Sequence, residues 1–193
     1  MTSLQKSLEK RLVKIVTVAL VALISGSSIY VSKTSKSTSS SKEIPHVDPQ
    51  ALYEVTKVTD GDTFQAAVGD TKVTVRMLGI DTPETVDPRK TVQCFGKEAS
   101  NETKGLLSNH SVKLETDPTQ GEADKYGRLL AYVHRDDGLF INEHLVAEGY
   151  AHEYTYDIPY EKQKDFKDAE KQAREEKKGL WGDVCAGEES KKK

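Results

Sequence analysis

The chain has 193 residues, of which 36% are hydrophobic and 31% charged, and a formal net charge of −3. Thirteen Gly and six Pro exclude a collagen-like or low-complexity chain, and two Cys are too few for a disulfide-dense scaffold or a four-Cys zinc site. The charge is unevenly spread: residues 1–43 carry seven Lys/Arg against two acids, and the remainder carries 21 against 29. The globular part is therefore acidic, which argues against a protein that holds nucleic acid by bulk positive charge. A polyanion would have to be met by a local basic patch or a bound cation.

Residues 1–31 read as targeting. Lys6, Lys10, Arg11 and Lys14 precede an apolar run from Ile15 to Ile24, and a second short stretch, Ile29-Tyr30-Val31, extends it. A basic start and an apolar core of this length fit an export signal, and counting on to Val31 reaches the low end for a membrane-spanning helix. No Ala-x-Ala site and no Cys for lipid attachment is present in this stretch. Cleavage and retention as an anchor both stay open. Either outcome places the rest of the chain outside the cytoplasm, secreted or held on the outer face of the membrane. Residues 32–44, rich in Ser, Thr and Lys, read as a linker; residues 45–187 form the domain proper, and 188–193 a polar tail.

Alternating β-rich runs then appear at Tyr53–Thr59, Thr63–Val68 and Lys72–Ile80, with Gly61 and Gly69-Asp70 as turns. A polar loop from Asp81 to Gln93 leads to a helix over Gly96–Ser108, with Ala99, Thr103, Leu106 and Leu107 on one face. Strands follow at Val112–Thr116 and Leu129–Arg135, then a short helix at Ile141–Glu148 that stops at Gly149. The last helix spans Tyr160–Lys178, with Phe166, Ala169 and Ala173 facing inward and a Lys/Glu-rich solvated face. The pattern predicts a mainly β domain with α-helices: a five-stranded meander forming a small, partly open β-barrel of the OB type, with helices inserted late in the chain.

Chemistry concentrates in three stretches. Asp60-Gly61-Asp62-Thr63 places two carboxylates around a turn glycine; hard oxygen donors suit Ca²⁺, although Asp-Gly is also a common hairpin turn. Arg76 to Thr85 delivers a cation on a strand, then Asp81, then Glu84, with Pro83 stiffening the bend. Asp124-Lys125-Tyr126-Gly127-Arg128 brings a second Arg to the start of a strand. The five His are dispersed at 46, 110, 134, 144 and 152, which argues against zinc, and Asn142-Glu143-His144 is only superficially similar to a His-based nuclease motif.

Together the motifs Asp-Gly-Asp-Thr, Arg, Asp-Thr-Pro-Glu-Thr and Asp-Lys-Tyr-Gly-Arg, in this order, make residues 50–182 resemble the staphylococcal-type thermonucleases. The resemblance implies an OB-fold barrel with three helices and a Ca²⁺-dependent nuclease acting on DNA and RNA with low sequence specificity, leaving 3′-phosphorylated products. It implies Asp60, Asp81 and the Thr82 carbonyl as Ca²⁺ ligands, with Asp62 and Glu84 standing outside them. Glu84 matches a general base or orienter of the attacking water, and Arg76 and Arg128 match the pair that grips the scissile phosphate. Lys125, Tyr126, Tyr154 and Tyr156 match nucleotide contacts. Two features depart from the family pattern: one residue fewer just before Tyr154, and an acidic globular part. Domains of this fold that serve only as binding modules lack some of these acids and arginines; here all six are present.

The resemblance also brings the start of the first helix near the C-terminal end of the domain, so Cys94 and Cys185 are candidates for a disulfide, with two free thiols as the alternative. Trp181 reads as a packing residue. A monomer is expected.

Overall fold

The computed structural model describes residues 44–85 and 93–185. The targeting segment, most of the linker, the polar tail, and residues 86–92 of the Asp81–Gln93 loop lie outside the described residues.

Five strands close a barrel: β1 (Tyr53–Asp60), β2 (Thr63–Val68), β3 (Thr71–Met77), β5 (Ser111–Glu115) and β6 (Leu129–Arg135), in the spatial order β1-β2-β3-β6-β5. Each strand turns alternate side chains inward. Phe64, Ala66, Val75, Val112, Leu114, Ala131 and Val133 are fully buried, each large one contributing about 1.5–3 kcal/mol.

The sheet is not a simple meander, as the alternation alone suggested. β3 and β6 run parallel, with Val75 opposite Leu129 and Met77 opposite Ala131. The barrel is closed rather than partly open, because β1 also pairs with β5 through Tyr53–Val112 and Glu54–Ser111. Helix α1 (Gly96–Leu107) lies between β3 and β5 in the chain, where the sequence places it, while α2 (Ile141–Ala147) and α3 (Gln163–Glu175) follow the barrel.

β3 ends at Met77 instead of running to Ile80. Gly79 takes φ +76°, and a Cβ there would lie 2.7 Å from the Tyr160 ring, so only glycine turns the chain at this point. Beyond it a two-residue strand, β4 (Ile80–Asp81), pairs antiparallel with β7 (His152–Glu153). The buried Asn142 locks the turn from behind. Its amide donates to Leu78 O (2.9 Å) and Ala131 O (3.4 Å), and its oxygen accepts from Val133 N at 2.9 Å. Asn142 is thus a structural residue with its polar groups satisfied.

α3 is three residues shorter at each end than the periodicity predicted. Tyr160 instead buries its ring and donates to Gly79 O and Glu153 Oε1, both at 3.0 Å, and Lys177 at φ +55° ends the helical path. The outer face of α3 carries the expected pairs, Lys164–Asp168, Glu170–Arg174 and Lys171–Glu175. Trp181 packs under the Arg174 guanidinium, 3.6 Å from the ring centroid.

A buried carboxylate ties this helix to the barrel. Asp117 accepts from Thr119 N and Oγ1, from Tyr132 Oη and from Glu161 N, all within 2.5–2.8 Å. Burial acts to raise the Asp117 carboxyl, but these hydrogen bonds outweigh it and hold the group below the usual carboxylate range. Its stabilisation is therefore present above the unfolded value and is lost as pH falls through the folded one. Replacing Asp117 by Ala is expected to cost about 2–3 kcal/mol at pH 7, and the deficit should narrow in urea melts as pH is taken below 3.

Cys94, just before α1, is bonded to Cys185, with the Cα atoms 5.8 Å apart and a sequence separation of 91. A loop of that size sets an upper figure of about 4–5 kcal/mol from chain entropy. Reduction should lower the urea midpoint of unfolding. An unchanged midpoint would mean that the bridge does not restrict the unfolded chain.

Candidate functional site

The sheet register gathers the predicted residues at one mouth of the barrel. Asp60 ends β1 opposite Thr63, and Thr63 faces Arg76 across β2 and β3. Arg76 in turn lies opposite Leu130 on β6, two residues after Arg128. On the other side, Asp81 on β4 pairs with His152, and Tyr154 N donates to Gly79 O at 2.9 Å. That bond brings the Tyr154–Tyr156 segment beside β4.

Arg76 is the hub of the acidic half. Its Nη1 donates to Met77 O at 2.8 Å and Ile80 O at 2.7 Å, and its Nη2 lies 2.9 Å from Asp81 Oδ1 and 3.2 Å from Asp62 Oδ2. The side chain is only 12% exposed, so burial and fixed acceptors hold the guanidinium in one pose. Asp62 also accepts from Thr63 Oγ1 (2.8 Å), Thr82 N (3.0 Å) and Thr82 Oγ1 (3.2 Å). It thereby binds the β1–β2 turn to the segment after β4.

Both hydrogen bonds given to Asp60, from Gly61 N at 2.9 Å and Thr85 Oγ1 at 2.6 Å, fall on Oδ1. Burial pushes the Asp60 carboxyl above its ordinary range. The two hydrogen bonds oppose the rise, and the charges of Asp62 and Glu84 add to it. The negative charges of Asp62 and Glu84 thus add to the cost of ionising Asp60, a cost that a hard cation would offset.

Among the described residues no group of three His, Cys, Asp or Glu side chains is disposed to hold a metal ion by itself. The set implied by the resemblance is of another kind: two carboxylates, Asp60 and Asp81, and the main-chain carbonyl of Thr82. All are hard oxygen donors, and that chemistry fits Ca²⁺; within the β1–β2 turn, however, it is Asp62 rather than Asp60 that hydrogen-bonds Thr82 and shares Arg76 with Asp81.

The second half of the mouth is built by the Asp124–Arg128 turn. Asp124 Oδ1 accepts from Tyr126 N (2.9 Å) and Arg128 N (3.0 Å), and Oδ2 takes Nε and Nη2 of Arg128, both at 2.6 Å. Burial acts to raise Asp124, but the Arg128 and Tyr126 donors prevail and hold it below the usual range. The Arg128 guanidinium also lies 5.4 Å from the Tyr126 ring centroid, and Lys125 Nζ lies 5.1 Å from it.

Arg76, Asp81, Lys125, Tyr126, Arg128, Tyr154 and Tyr156 all line one open cleft of about 670 Å³. Tyr126 and Tyr156 are largely exposed, and the Tyr154 and Tyr156 rings stand 6.4 Å apart. Asp60, Asp62, Thr82 and Glu84 do not line this cleft; Asp62 and Thr82 join it through Arg76 and Asp81. Three contributors have no counterpart in the motif reading: Thr85 on Asp60, Asp124 on Arg128, and Gln93 on Glu84. Asp124 and Thr85 stood inside the quoted motifs, and their roles appear only once the turns close. For Gln93 the sequence holds no signal.

A closed OB barrel with two fixed guanidiniums, a carboxylate cluster and exposed tyrosines at one mouth belongs to the class of OB-fold proteins that grip anionic, ring-bearing chains. The comparisons with known proteins narrow this class. A family model described as staphylococcal nuclease homologue matches residues 74–183. The chain is 44% identical over 132 residues to the thermonuclease of Staphylococcus hyicus, covering 68% of this chain and 76% of that protein. It is 42% identical over 130 residues to the thermonuclease of Staphylococcus intermedius, covering 67% and 75%. With endonuclease YncB of Bacillus subtilis (strain 168), 39% of 141 residues are identical, over 71% of this chain and 66% of YncB. The chain belongs to the staphylococcal nuclease family.

Proposed function

We propose that this nuclease is an exported, Ca²⁺-dependent phosphodiesterase that hydrolyses DNA and RNA with low sequence specificity and leaves 3′-phosphorylated products. The observation that carries the reading is the shared cleft: Arg76, Arg128 and Asp81 meet Tyr126, Tyr154, Tyr156 and Lys125 on its walls. Arg76 and Arg128 donate to the non-bridging oxygens of the scissile phosphate, where charge grows as water attacks. The Asp60 and Asp62 carboxylates of the β1–β2 turn, Asp81 and the Thr82 carbonyl would hold the cation, which when bound would add Lewis-acid stabilisation of the same charge.

Glu84 takes or steers the proton of the attacking water. The water oxygen bonds to phosphorus, the P–O5′ bond breaks, and the 5′ oxygen leaves as a hydroxyl once protonated. Tyr126, Tyr154 and Tyr156 offer ring faces to bases of any identity, and Lys125 offers charge to the backbone, so sequence counts for little.

The basic and apolar character of residues 1–31 supports export, with residues 32–44 as tether, 45–187 as the working domain and 188–193 as a polar tail. Among the described residues no helix is long and apolar enough to cross a membrane. The barrel closes on itself and so leaves no open barrel edge for a second copy to pair with, which supports a monomer.

End-group analysis tests the reading. Digestion of 5′-labelled single-stranded DNA and RNA should give fragments whose ends shift on a gel after removal of a 3′-phosphate. Products carrying 5′-phosphate and 3′-hydroxyl ends would overturn it.

A further inference from the structure

Given the proton-handling role assigned to Glu84 above, the groups that fix Glu84 matter to the reaction. Glu84 N donates to Gln93 Oε1 at 2.9 Å, and Gln93 N donates to Glu84 O at 3.0 Å. The two residues clasp each other across nine positions of chain, using both main-chain polar groups of Glu84. The next residue, Cys94, is bonded to Cys185.

Cys185 itself sits at the end of a firmly docked segment. Cys185 N donates to Gly182 O, Gly182 N to Gly179 O, and Leu180 N to Gly149 O at the end of α2. The start of α1 presses on the same place from the other side. A Cβ on Gly96 would lie 2.7 Å from Thr85 Cγ2, 3.0 Å from Pro83 O and 3.2 Å from Glu84 O, so the helix approaches as closely as glycine allows. From α1, Thr103 Oγ1 donates to Gly61 O at 2.6 Å, next to Asp60, and Asp60 accepts from Thr85.

We propose that Gln93 is a positioning residue for Glu84, and that the Cys94–Cys185 bridge is the brace that holds Gln93 in place. The bridge, remote from the cleft in sequence, then serves the reaction as well as stability. Without the Gln93 acceptor the Glu84 amide loses one half of the clasp, and the carboxylate samples poses that cannot reach the attacking water. Neither Gln93 nor the bridge grips substrate, so the loss should fall on kcat and leave KM alone.

Amide hydrogen exchange by NMR and steady-state kinetics on single-stranded DNA test this together, with melting temperature as the check on folding. Gln93→Leu keeps the size of the side chain and removes the acceptor. It should speed exchange of the Glu84 amide at least tenfold and lower kcat by about 10–100-fold with KM within twofold. Gln93→Glu keeps an acceptor at the same position and should recover kcat to within about threefold of the parent. Cys94→Ser with Cys185→Ser should move the exchange and kcat in the same direction by a smaller factor. In a Glu84→Gln background, Gln93→Leu should cause no further loss of kcat.

A Gln93→Leu variant with parental kcat, while Glu84→Gln is slow, overturns the positioning role and leaves the role of Glu84 intact. If Glu84→Gln keeps the parental rate, the role of Glu84 fails, and the exchange data alone then report whether Gln93 and the bridge hold its main chain. An unprotected Glu84 amide in the parent protein overturns the clasp itself. Bridge removal that lowers only the melting temperature reduces Cys94–Cys185 to a staple.

Discussion

Arg128→Ala should lose about 10²–10³ in kcat, or roughly 3–4 kcal/mol of transition-state stabilisation, while its unfolding free energy stays within about 1 kcal/mol of the parent. The two halves of this expectation have separate causes. Arg128 is partly exposed at the mouth, and its side-chain hydrogen bonds go to one residue, Asp124. When Arg128 is truncated, Asp124 Oδ1 keeps the Tyr126 and Arg128 main-chain donors, so the turn stays closed. What disappears is a planar donor aimed into the cleft.

Arg76→Ala is the instructive contrast. Arg76 satisfies two main-chain carbonyls and contacts two carboxylates, so its removal takes the countercharge from Asp62 and Asp81 and unties the β3–β4 turn. It should lose rate and stability together. A folded Arg128→Ala enzyme with more than half the parental rate would exclude Arg128 from the reaction.

Local pattern and long-range pairing explain which parts of this fold can be read from sequence. β2 and β6 occupy the ranges read from the sequence: β2 alternates buried and half-buried side chains, as Phe64-Gln65-Ala66 illustrates, and β6 is an apolar run buried through Ala131, Tyr132 and Val133. The β4–β7 pair escapes such reading. Two residues have no periodicity, and His152–Glu153 becomes a strand only because Ile80–Asp81 passes beside it. The parallel register of β3 on β6 is likewise set by chain crossing, which no local pattern encodes.

The candidate site divides along the same line. Its charged members announce themselves, since Asp60, Arg76, Asp81, Glu84 and Arg128 are residue types that a fold places in clusters only at a cost in repulsion and desolvation. Their supports do not. Thr85, Gln93, Asp117 and Asn142 are ordinary polar residues whose importance comes from which buried group they reach. The proposed substrate contacts Arg76, Lys125 and Arg128 share their cleft with Asp81, Asp124 and Asp157, so this wall carries no surplus of positive charge, in keeping with the acidic balance of the domain and with a role for a bound cation.

The central claim, that the carboxylates of the Asp60–Asp62 turn, Asp81 and the Thr82 carbonyl hold a cation without which the arginines cannot suffice, is tested most directly by metal removal. Cleavage of single-stranded DNA by the purified protein should be followed in a calcium-selective chelator, then with excess Ca²⁺ restored, and with Zn²⁺ alone. Loss of a stabilisation worth several kcal/mol predicts a fall of at least about 10³-fold in chelator, full recovery with Ca²⁺ and none with Zn²⁺. Undiminished cleavage in the chelator, or cleavage supported by Zn²⁺ alone, would contradict it.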